Sequence, residues 1–116
     1  MTIILPEEEV QADFEQLILR AWQEAHGADK GRVHLSWGQD RAVVIIEDAF
    51  LKGERLLAQS EQGKAVLEEY VHKLLAHVVE EQKKTLAYLL QREIVDTSIS
   101  CDSIERWVMI IFRLAE

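Results

Sequence analysis

Side chains along a strand alternate between two faces, so the run Trp107-Val108-Met109-Ile110-Ile111-Phe112-Arg113-Leu114 splits into two rows. Val108, Ile110, Phe112 and Leu114 form one row, apolar throughout. Trp107, Met109, Ile111 and Arg113 form the other, apolar over most of its length. A strand of this kind needs cover on both sides. A chain of 116 residues has little material for two full covering layers. The pattern therefore predicts a sheet whose second face meets another chain or a ligand.

The rest of the chain supplies the elements around this strand. A helix is expected from Pro6, with Glu7, Glu8 and Glu9 favourable at its positive end. Val10, Phe14, Leu17, Ile18, Ala21 and Ala25 make its apolar stripe, with Trp22 at the border. Gly27 ends it, and 27–31 is a loop. Val33, Leu35 and Trp37 alternate with polar positions, as in a half-buried strand. Gly38-Gln39-Asp40 turns the chain into a returning strand over 41–47. Its centre, Val43-Val44-Ile45-Ile46, is apolar on both faces. That strand and 107–114 are therefore expected at central positions.

A short amphipathic piece spans 52–59. Ser60 is the candidate cap of a long helix carrying Leu67, Tyr70, Val71, Leu74, Leu75 and Val78. The polar stretch 80–84 marks an expected break before a segment with Leu86, Leu89 and Leu90. Ile94 to Cys101 reads as a third strand, followed by a turn over 102–105. The expected fold is α+β, in the order α-β-β-α(α)-β-β. Its four-stranded, mostly antiparallel sheet carries helices mainly on one face. Residues 1–116 make a single domain, with 1–6 as a disordered lead.

Composition narrows the function classes. Hydrophobic residues make up 48% and charged residues 29%, as in ordinary globular proteins. A net charge of -8 repels phosphate backbones and anionic membranes, so no nucleic-acid partner is expected. No apolar run approaches the ~20 residues that span a bilayer, so no direct membrane insertion is expected. The N-terminus lacks the basic start and long apolar run of a signal peptide. Cys101 is the single cysteine, which excludes an internal disulfide and fits a cytoplasmic location.

No catalytic motif emerges. Glu68-x-x-x-His72 and His77-x-x-x-Glu81 place a carboxylate one helical turn from an imidazole, half of what a metal site needs. Solvated i,i+4 pairs explain them as well, and His72 and His77 do not share a face. No metal site and no cofactor are expected. Cys101 has Asp102 beside it, which opposes a thiolate. The scattered glycines build no phosphate loop. What remains is the apolar surplus. Trp37, Trp107, Met109 and Ile111 are the candidate partner-binding residues. Trp and Met are frequent in such contacts, although each also suits a covered core.

Several segments carry a family resemblance. They are Val33-His34-Leu35, Ala42 to Ile46 and Gly53-Glu54-Arg55-Leu56-Leu57. The junction Leu57-Ala58-Gln59-Ser60-Glu61-Gln62-Gly63-Lys64 is the most specific of them. Thr97-Ser98-Ile99-Ser100 and Glu105 to Phe112 complete the set. The chain resembles the MpsC-like bacterial proteins, named after the C subunit of a sodium-translocating, membrane-potential-generating system. It departs from their pattern in the last hairpin, 101–106, which lacks glycine. The resemblance transfers no catalytic residue. It implies a soluble accessory subunit of a sodium- or bicarbonate-linked membrane system. The apolar surplus itself suggests a non-enzymatic adaptor or assembly chaperone holding a partner segment on a sheet face or edge strand. Inorganic-carbon handling, including carboxysome assembly in a cyanobacterium, is the expected context, and a homodimer is the other use of the same surface.

Overall fold

The computed structural model describes residues 6–115. The expectation of disorder over 1–6 falls outside these residues, apart from Pro6. Strands β1 (Arg32–Trp37), β2 (Arg41–Glu47), β3 (Ile94–Asp102) and β4 (Trp107–Leu114) form one antiparallel sheet in the order β1-β2-β4-β3. The two strands that are apolar on both faces, β2 and β4, hold the central positions, as their pattern required. The shorter β1 and the polar β3 are the edges. β3 absorbs a bulge between Ile94 and Asp96, which sets its later residues in register with β4.

Helices α1 (Glu8–His26) and α3 (Glu61–Leu90) cover one face. α1 packs over β1, α3 over β3, and the two meet each other. Phe14, Ile18, Trp22 and His26 are the buried residues of α1, each four positions from the last. From α3 come Leu67, Val71, Leu75, Val79 and Leu86. The sheet contributes Ala42, Val44 and Ile46 of β2 and Val108, Ile110, Phe112 and Leu114 of β4. Phe14 sits edge-on to both Trp37 and Phe112, with ring centres 5.5 Å away in each case.

The short helix α2 (Lys52–Leu57) joins the hairpin β1–β2 to α3. Glu54 holds it in place. Its carboxylate accepts from the Leu51 backbone N–H at 2.7 Å and from His26 Nε2 at 2.9 Å. His26 in turn stacks on Trp22, with ring centres 4.5 Å apart. Ser60 caps α3 by accepting from the Gly63 N–H at 3.0 Å. A side chain at Gly63 would collide with the Leu57 carbonyl oxygen, so this junction requires glycine.

Three local expectations are corrected. α3 runs unbroken through 80–84, because Val78, Val79 and Leu86 keep one buried stripe across that polar stretch. The division between the two middle helices falls at 58–60 instead. Trp22 is fully buried rather than at a border, and Tyr70, counted with the apolar residues of the long helix, is 48% exposed.

Candidate functional site

The second face of the sheet follows from the register. Arg32, Glu47, Trp107 and Asp102 stand side by side across the four strands. His34, Ile45, Met109 and Ser100 form the next row, and Ser36, Val43, Ile111 and Ser98 the one after. Arg41, Arg113 and Asp96 close the far end. Directly opposed residues in an antiparallel sheet share a face, so these rows make one surface. Val43, Ile45, Trp107, Met109 and Ile111 are only part-buried, and none belongs to the core cluster. Among the described residues, the helices that contact the sheet do so through the other face.

The surface therefore has an apolar centre, polar residues along both sides and charges at both ends. Arg32 lies 3.5 Å and His34 3.2 Å from the Glu47 carboxylate. These pairs are exposed and contribute little to stability. At the same end, a hollow of about 410 Å³ lies between Arg32, Glu47, Asp48, Glu105, Arg106 and Trp107. Arg106 takes a left-handed backbone with φ of 70°, in the hairpin that lacks glycine.

The candidate residues separate. Trp107, Met109 and Ile111 lie together in the centre of the bare face. Trp37 does not join them. It pairs with Ala42 on β2, so its indole points to the helices and meets Phe14. The physical reason is parity: Trp37 is in phase with Val33 and Leu35, whose partners Ile46 and Val44 are core. Val43 and Ile45 were missing from the expected set. The double apolarity of β2 was a signal for them, but only the pairing with β4 puts them beside Met109 and Ile111.

The other candidate chemistry disperses. Glu68 accepts from the Ser103 hydroxyl at 2.8 Å, fixing the last hairpin to α3. His77 lies 3.1 Å from Glu81 as an exposed i,i+4 pair. No group of three or more potential metal ligands exists among the described residues. Cys101 lies on the covered side of β3, paired with Val108. Burial, then the nearby Glu68 and Asp102 carboxylates, push its thiol from 9.0 up to about 11, against a smaller opposing effect of Lys64. It is a poor nucleophile at neutral pH. The buried His26–Glu54 pair was also missed, although His26 continues the Phe14-Ile18-Trp22 spacing.

Fold and surface together define a class: a small α+β protein whose antiparallel sheet has helices on one face and an apolar centre on the other. A family model described as the Na+-translocating membrane potential-generating system (MpsC) matches residues 7–116. The chain belongs to that family. No curated protein matches it. Among the described residues no helix is long and apolar enough to cross a membrane.

Proposed function

We propose that this protein is a non-enzymatic accessory subunit of a sodium-linked membrane system, acting by protein contact through the bare face of its sheet. The observation that carries this is the apolar centre formed by Val43, Ile45, Trp107, Met109 and Ile111, framed by polar and charged residues. Such a patch with a polar rim is how protein interfaces are built. The family description supplies the context, a system that moves Na+. In this reading integral partners carry the ion, and the adaptor behaviour expected from the apolar surplus serves that assembly. The carboxysome setting draws no support from the fold or the family.

The test has two readouts. Tagged protein is added to detergent-solubilised membranes of the source cell, and retained proteins are identified by mass spectrometry. Membrane vesicles from cells lacking the chain are assayed for Na+-dependent membrane potential. Retention of an integral ion-translocating protein, with a reduced potential in the deletion vesicles, is expected. No integral protein retained and an unchanged potential would overturn the reading.

A further inference from the structure

We infer that in the free protein the bare sheet face is occupied by a second copy of the chain, packed face to face about a two-fold axis running across the strands. The inference rests on reading this face as a protein-contact surface, and it names the occupant. Size is the first argument. The face spans four strands and four rows, about 14 by 20 Å between backbone centres. Allowing a rim of side chains around that footprint, a face-to-face dimer would bury on the order of 600 Å² per copy, or about 1,200 Å² in all. That is the lower edge of specific interfaces and above most lattice contacts. The face is also apolar at its centre, as the inner layer of a sandwich is.

Charge complementarity is the second argument, and it selects the axis. A two-fold axis across the strands lays each strand over its own copy with the rows reversed. On β2, Glu47 of one copy then faces Arg41 of the other. On β4, Trp107 faces Arg113, a cation over an indole. Between these ends, Ile45 lies over Val43 and Met109 over Ile111. On β3, Ser100 lies over Ser98, and only the Asp96–Asp102 contact is repulsive. That contact falls on the edge strand, beside solvent. An axis along the strands would instead set Arg41 against Arg113 on the two central strands.

The experiment is sedimentation equilibrium of the purified chain over a wide concentration range, with circular dichroism reporting the fold. A monomer–dimer equilibrium is expected for the natural chain. Met109→Asp and the milder Met109→Thr should both shift it toward monomer. Glu47→Arg alone and Arg41→Glu alone should each weaken association on the order of tenfold, and the double exchange should restore most of it. Both charged residues are exposed, so these variants keep the fold. A single-copy mass at every concentration overturns the inference, as does a dimer indifferent to Met109→Thr. Failure of the exchange to restore association overturns the axis. A monomer that still retains the membrane protein sinks the dimer alone. A dimer that retains none sinks only the proposed function.

Discussion

On β4, Val108, Ile110 and Phe112 are sealed beneath the helices, while Trp107, Met109 and Ile111, which alternate with them, remain part-buried. The two rows have similar apolarity and the same backbone. They differ in what meets them. Phe112 touches Phe14 of α1 and lies among the core residues of both long helices. Ile111 has Val43 on one side and Ser98 on the other, and it stands outside the core cluster. Apolar pattern thus marks where cover is required, and topology decides which row gets it from the same chain.

That contrast can be broken most severely at Phe112. Phe112→Ala should cost about 3–5 kcal/mol in urea denaturation, because it opens a cavity under helices that cannot collapse onto it. Ile111→Ala, one residue away, should cost about 1 kcal/mol or less in the dilute protein. Equal losses would mean that the second face is covered after all.

Loosening the junction that leads into α3, one of the two covering helices, tests the same division. Gly63→Ala places a methyl group against the Leu57 carbonyl and forces α2 away from α3. A loss of about 2–4 kcal/mol is expected in the same denaturation assay. A negligible loss would show that α2 is not tied to α3 at this glycine.

Thiol chemistry sharpens the comparison at the sheet edge. The thiol of Cys101 is raised to about 11 on the covered side, so iodoacetamide should label it slowly at pH 8. Moving the thiol one residue, with Ser100→Cys and Cys101→Ser, puts it on the bare face. There, in protein dilute enough to be monomeric, it should react faster, on the order of tenfold or more. The thiol is uncharged in both states below pH 9.0, and above that the unfolded chain ionises first. Its contribution to stability is therefore present below pH 9.0 and falls away as pH rises toward about 11. A Cys101→Ser chain should lack that part of the alkaline loss in a pH series of melts.

The smallest expected effect is a gain. Arg106→Gly should relieve the left-handed backbone of the last hairpin and raise stability by about 0.5–1 kcal/mol by thermal melting. Unchanged melting would mean that the greater freedom of glycine in the unfolded chain offsets the relief.

Much of the fold was legible in the pattern. Alternation marked β1, and apolarity on both faces assigned β2 and β4 to the centre. Ser60 and Gly63 marked the start of α3. The candidate site was legible only in part, since Trp37 had the composition of a contact residue but the phase of a core residue. Phase could have been read from Val33 and Leu35, whereas the inclusion of Val43 and Ile45 required the strand pairing.

By itself the sequence determined the element order, the central strands, the absence of a disulfide framework and the family resemblance that the match over 7–116 supports. These follow from local periodicity and motif, which the chain carries residue by residue. Only the tertiary structure decided which face the helices cover, that α3 is continuous, and that His26 reaches Glu54 on another element. Those outcomes depend on contacts between segments far apart in the chain. Both rows of β4 are apolar enough to be the buried one, and the choice between them is made by where α1 and α3 come to rest.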